Sequence, residues 1–228
     1  MVVQSVRTRR VTLFSSSFEP LRKGYQVNTF TDRQKDFLRA AIEIVSKEGF
    51  SRLTIRNVAA AVGVTEPAVY RHFPNKLALL TAMLDDLQSS ILPHFRRLRE
   101  SSDNPMESFT DFIHGLFEEF KLRPAYAPFI FSEEIFHNEP QLRGKLQQVL
   151  SGNIAVLTDS FESLQHDKNC RTDIEAQQMA LVTLASIRLA MSRWHISDGR
   201  IRLKDLTEQL IVSLGTLFEL KTDEKSSP

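Results

Sequence analysis

Residues 54–76 read TIRNVAAAVGVTEPAVYRHFPNK, and this stretch decides the fold. Thr54 suits a helix start, and Ile55, Val58, Ala59 and Val62 then recur at the spacing of one buried helix face. Gly63-Val64 breaks the pattern as a turn, and Thr65 opens a second helix with Pro67 in its first turn, where early N–H groups lack helical partners. Pro74 stops that helix, and Asn75 caps the next one, whose apolar residues are Leu77, Leu80, Leu84 and Leu87. Two short helices joined through a glycine turn make the helix-turn-helix unit, here over 54–73. Ala59, Ala60 and Ala61 allow close crossing, while Val69 and Phe73 form the inner face of the second helix. Thr65, Glu66, Tyr70, Arg71 and His72 remain for an outer face. On pattern alone, such a hairpin is either a DNA-reading unit or a plain structural corner.

Outward from this stretch the helical period continues. Phe37, Ala40, Ala41, Ile44 and Val45 predict a helix capped by Thr31 or Asp32 and stopped in left-handed geometry by Gly49. Residues 107–121, 141–164, 173–195 and 204–221 carry further apolar faces, with Ser197-Asp198-Gly199-Arg200 as a loop between the last two. No alternating Val/Ile/Thr-rich segment bounded by turns occurs, so strands are not expected.

The run from Thr54 to Lys76 resembles the signature of the TetR family of transcriptional regulators. Tyr70-Arg71-His72-Phe73 followed by Pro74-Asn75-Lys76 is its most specific part, and Ala40-Ala41 with Glu48-Gly49-Phe50 extends the likeness across residues 32–91. The resemblance implies an all-α chain of about nine helices. A three-helix DNA-binding domain (31–91) precedes a larger helical regulatory, ligand-binding and dimerisation domain (92–222). A basic extension (1–30) and a short tail (223–228) flank them. The extension is either an arm that reaches phosphates or a groove, or a disordered tail. The resemblance places Thr54, Tyr70, His72 and Lys76 on phosphates, and Thr65, Glu66, Pro67 and Arg71 at the groove, where Arg71 suits guanine O6 and N7. Glu66 departs from the basic or very small residue of many members. It either accepts a hydrogen bond from cytosine or only favours the helix N-terminus.

Eight of the 16 Phe fall between Phe95 and Phe136. Each suits ordinary core, but together they suit an apolar pocket, for which Phe109, Phe112, Ile113, Phe117, Phe129, Phe136 and Met179 are the candidates. Pro124 and Pro128 are expected to break helices beside it. The last two long helices are apolar over a wide arc, as helices buried on two sides are. Leu184, Ile187, Met191, Leu210, Leu214 and Leu217 are the expected homodimer surface, since paired reading heads match a two-fold operator.

Composition agrees with this division. Residues 1–76 hold 13 Lys/Arg against 6 Asp/Glu, a net of +7, whereas the remainder nets −6. A positive head on a negative body suits contact with a polyanion at one end. No apolar run approaches the roughly 18 residues of a membrane span, and the basic start lacks the apolar segment of a secretory signal, so a cytoplasmic address is expected. Cys170 is the single cysteine and requires no oxidising compartment. The histidines show no metal-ligand spacing, no phosphate loop or nucleophile elbow is present, and neither metal, cofactor nor catalysis is expected. The expected function is a ligand-responsive repressor that binds a palindromic operator and is released by a small apolar or aromatic inducer. The competing reading is a helical ligand-binding or adaptor protein that does not bind DNA.

Overall fold

Thr31 and Gln34 open the first helix with a reciprocal cap. The Gln34 amide donates to Thr31 Oγ1 at 3.3 Å and the Thr31 amide donates to Gln34 Oε1 at 3.0 Å. The computed structural model describes residues 29–100, 104–131, 137 and 139–222. Over these it contains nine α-helices and no strand. Helices α1 (Asp32–Glu48), α2 (Ile55–Val62) and α3 (Glu66–Tyr70) form the head. Helix α4 (Lys76–Glu100) leads into α5 (Pro105–Leu122), α6 (Tyr126–Phe131), α7 (Pro140–His166), α8 (Ala176–Ile196) and α9 (Leu203–Phe218). The expected extension up to residue 28 and the tail from 223 lie outside the described residues.

Local chemistry sets the boundaries of the head. α1 buries Phe37, Leu38, Ala41, Ile44 and Val45. Gly49 ends it at φ 82° and ψ 173°: it has the positive φ that favours glycine, but its ψ is not that of the left-handed helical stop expected from the sequence. It enters a 3-10 turn at Phe50–Arg52. Gly63 does adopt the left-handed conformation, at φ 72° and ψ 36°, and this turns α2 into α3. α3 is shorter than Pro74 alone would dictate. It closes at Tyr70, and Arg71-His72 form a turn before the proline. Thr65 stands at the helix start without a side-chain capping bond. Asn75 does cap α4, accepting from the Ala78 amide at 2.8 Å.

Helix α4 joins the two halves. Its early residues Leu79, Leu80 and Met83 and its later residues Leu87, Ile91 and Phe95 belong to one continuous buried cluster. The helix therefore runs unbroken across the domain boundary expected near residue 91. α4 packs on α5 and α7, α7 on α8, and α9 on both α5 and α8. Close approach of α4 and α5 depends on Gly115, where a Cβ would overlap the His94 imidazole. Phenylalanines fill the body: Phe95 meets Phe112 edge-on at 4.9 Å, and Phe161 meets Phe218 edge-on at 5.1 Å. Pro124 stands in the break between α5 and α6, but Pro128 is inside the first turn of α6, where its missing N–H is tolerated.

Candidate nucleic-acid interface and effector cavity

In α1 and the turn after it, the cations pair with carboxylates no more than four residues away. Arg33 and Arg39 pair with Asp36, Lys35 with Asp32, Lys47 with Glu43 and Arg52 with Glu48, at 2.8–3.6 Å. Arg56, Arg71 and Lys76 differ: all three are exposed, and none forms an ion pair among the described residues. The free positive charge of the head is thus concentrated on the helix-turn-helix. Arg56 escaped the sequence reading because it lies between apolar positions of α2. Its place in the first turn, two residues after Thr54, was the available signal.

Thr54 is exposed at the start of α2, and its Oγ1 accepts from the Asn57 amide at 3.1 Å. Asn57 in turn donates to the Arg52 carbonyl at 2.7 Å, which fixes the incoming loop. The first amides of a helix have no intrahelical acceptor, so the start of α2 offers donors beside the Thr54 hydroxyl. On α3 and the residues flanking it, Val69 and Phe73 are buried as expected, and Thr65, Glu66, Pro67, Tyr70 and Arg71 are all exposed. Tyr70 keeps 47% of its surface open, a large exposure for an aromatic ring outside any core. His72 is half-buried, with its ring 5.5 Å from that of Phe37, so only part of it faces outward. Seven of the eight sequence-derived contact residues therefore lie exposed along 54–76, and the eighth shares its ring with the core.

The body contains a cavity of about 90 Å³ enclosed by α4, α5, α6, α7 and α8. Its walls include Ile91 of α4, Phe120 of α5, and Ile130 and Phe131 of α6. The expected pocket residues do not form it. Phe109, Phe112, Ile113, Phe117, Phe129 and Met179 are packed in the core at 2% exposure or less, away from the lining, and Phe136 lies outside the described residues. Helical spacing finds the buried face but cannot separate a face that meets side chains from one that meets a gap.

The expected dimer set also divides. Leu184, Ile187 and Met191 line the cavity, Leu214 is buried, and Leu210 packs half-buried against the core. Only Leu217 is on the outer surface. The outward apolar residues are instead Leu181, Val182, Leu189 and Ile196 on α8 and Val212 with Leu217 on α9. Val182, Leu189 and Ile196 recur every seven residues and so lie on one stripe.

One hydrogen bond anchors the start of α6 to α4. Tyr126, at its start, is buried and its hydroxyl donates to Asp86 Oδ2 of α4 at 2.5 Å, with Arg123 3.4 Å from the same oxygen. Burial, then the Asp86 charge, push the Tyr126 phenol well above its ordinary range. Burial likewise raises the Cys170 thiol to about 11, so it is a poor nucleophile at neutral pH. Among the described residues no group of three or more His, Cys, Asp or Glu is placed to hold a metal, and no helix is long and apolar enough to cross a membrane.

Residues 37–83 match the model of bacterial regulatory proteins of the tetR family. Among characterised proteins, the chain is similar to the nucleoid occlusion factor SlmA of Vibrio campbellii. The two are 21% identical over 169 residues, which cover 74% of this chain and 86% of that protein. Among solved structures, it is similar in fold to the fatty acid degradation regulator FadR of Bacillus halodurans, at a TM-score of 0.72 and 15% identity over 82% of this chain and 96% of that one. FadR of Bacillus subtilis in complex with stearoyl-CoA superposes at a TM-score of 0.67 and 16% identity, over 79% of this chain and 96% of that one.

Proposed function

Because the helix-turn-helix domain of this chain belongs to the tetR family of bacterial regulatory proteins, we propose that the protein is a ligand-responsive transcriptional repressor that binds a palindromic operator as a homodimer. The observation that carries the DNA-binding reading is the set of unpaired, exposed cations Arg56, Arg71 and Lys76 on the helix-turn-helix, beside in-helix ion pairs through α1. Thr54, Tyr70, Lys76 and the outward part of His72 hold backbone phosphates. Thr65, Glu66, Pro67 and Arg71 face the groove.

The homodimer uses the outer stripe of α8 and α9, with Val182, Leu189, Ile196, Val212 and Leu217 at its centre. Six large apolar side chains exposed on two neighbouring helices are costly to leave in water. A two-fold pair of heads then reads two half-sites about one DNA turn apart.

Control passes through α6. Its Ile130 and Phe131 line the cavity, while its Phe129 stacks on Phe50 of the head at 5.7 Å. A cavity of about 90 Å³ is smaller than the ~150 Å³ space known to take up benzene, so an inducer must displace a wall. Moving α6 changes the seat of α1 and shifts the head off register at one half-site. The ligand acts only through a difference in affinity between the two arrangements. Binding of stearoyl-CoA by a similar fold supports an effector site in the body, although a ligand of that length does not fit the cavity as it stands.

The test is an electrophoretic mobility shift with DNA from upstream of the protein's own gene. Wild type is expected to bind in a salt-sensitive way, and the Tyr70→Ala, Lys76→Ala double variant to lose most of that binding. Equal binding by both proteins would leave the adaptor reading in its place.

A further inference from the structure

We infer that the cavity recognises a small aromatic carboxylic acid carrying a second oxygen, and that Arg188 is both its anion-binding residue and the clasp that the acid releases from α6. This rests on the effector reading above and goes on to assign the ligand chemistry.

Three polar side chains meet an otherwise apolar lining: Gln88, Asn153 and Arg188. Gln88 and Asn153 are buried and joined reciprocally. Gln88 Nε2 donates to Asn153 Oδ1 at 2.9 Å, and Asn153 Nδ2 donates to Gln88 Oε1 at 3.3 Å. A primary amide has two N–H groups, so one on each side chain is left over from this pair. Neither makes another side-chain hydrogen bond among the described residues. A buried N–H is stabilised by an acceptor, so the amide wall selects an oxygen on an entering ligand.

Arg188 is exposed and also lines the cavity, so its guanidinium stands where the cavity meets solvent. It lies over the Phe131 ring at 5.0 Å and donates from Nη2 to the Ile130 carbonyl at 3.4 Å. It forms no ion pair among the described residues. Among the described residues both of its contacts are to α6, and both are weak: a long hydrogen bond to a neutral carbonyl and a partly exposed cation–π contact. A carboxylate offers the guanidinium a two-pronged, charge-assisted alternative. An acid seated with its ring among Phe95, Phe120 and Phe131 would draw Arg188 from Ile130 and Phe131, loosening the helix that bears Phe129.

Calorimetric titration with 4-hydroxybenzoate and 4-hydroxycinnamate, each beside its neutral methyl ester, tests this. At least one acid should bind wild type about tenfold or more tightly than its ester, the ratio a charged hydrogen bond supplies. Arg188→Gln should bring acid and ester to the same affinity, and Arg188→Lys should fall between. Replacing the amide wall in the Gln88→Leu, Asn153→Leu variant should remove the preference for 4-hydroxybenzoate over benzoate. Thermal melts of each variant establish that it is folded. Equal binding of acid and ester by wild type, or unchanged discrimination in Arg188→Gln, would overturn the assignment. If the esters, but not the acids, release DNA in the mobility shift, the effector reading stands and this assignment falls. If no probe binds at millimolar concentration while the DNA shift is intact, the acid assignment fails and DNA binding is untouched.

Discussion

Phe50 and Phe129 stack with ring centroids 5.7 Å apart and planes inclined by 24°. One ring belongs to the turn after α1 of the head, and the other to the six-residue helix that walls the cavity. Nothing in the spacing of two residues 79 positions apart announces this contact, yet it joins the helix that walls the cavity to the head.

The stack should be measurable as a coupling. In a double-mutant cycle with Phe50→Ala and Phe129→Ala, urea denaturation is expected to give an interaction energy of about 0.5–1.5 kcal/mol. Phe129→Ala alone should cost ~3–5 kcal/mol, because that ring is fully buried, and Phe50→Ala clearly less. Strict additivity of the two would mean that the rings do not join head to body.

The unpaired cations make a quantitative expectation for DNA. Lys76→Ala and Arg56→Ala should each lower the slope of log affinity against log salt by about 1, with little change in sequence preference. Arg71→Ala should instead relax preference at one base pair, at a cost of about 1–3 kcal/mol. Fluorescence anisotropy over a salt series separates the two behaviours. A full salt slope in the Lys76 variant would remove it from the phosphate contacts.

Val212→Glu and Leu189→Glu place a charge on the outer apolar stripe, where the side chains are 63% and 62% exposed in the single chain. Each protein should fold and sediment as a monomer, whereas wild type is expected to sediment as a dimer at micromolar concentration. Leu214→Glu is the contrast. Its site is buried within the chain, so the expected result is loss of folding rather than a folded monomer.

Tyr126 predicts an alkaline effect with a definite sign. Its folded pKa is raised, first by burial and then by Asp86, above the value of about 10 held in the unfolded chain. The associated stability is therefore complete below pH ~10 and is lost as pH rises through the folded value. Wild type should lose stability more steeply above pH 10 than Tyr126→Phe. At pH 7 the variant should be the weaker of the two, by roughly 1–3 kcal/mol, for want of the hydrogen bond to Asp86. Parallel slopes above pH 10 would assign the alkaline dependence elsewhere.

The head was largely legible in the chain. Capping residues, a glycine that must turn left-handed and a proline that forbids a helix act within a few residues, so Thr54, Gly63 and Asn75 declare their roles locally. The outer face of α3 followed because Val69 and Phe73 had to point inward. Arg56 was less legible: it stands between apolar positions of α2, and its lack of an ion-pair partner among the described residues is a property of folded neighbours.

The sequence by itself determined an all-helical chain, the place of the helix-turn-helix and the positive end that carries it. These rest on local propensity, period and charge, which need no knowledge of which helix meets which. Only the tertiary structure decided that Ile187 and Met191 face a cavity while Leu189 and Ile196 face outward. It also decided that Phe109 and Phe112 are core, and that Arg188 holds α6 at the cavity mouth. Periodicity records that a side chain is apolar on a given arc. What lies opposite that arc, whether packed rings, an open space or water, is set by helices dozens of residues away.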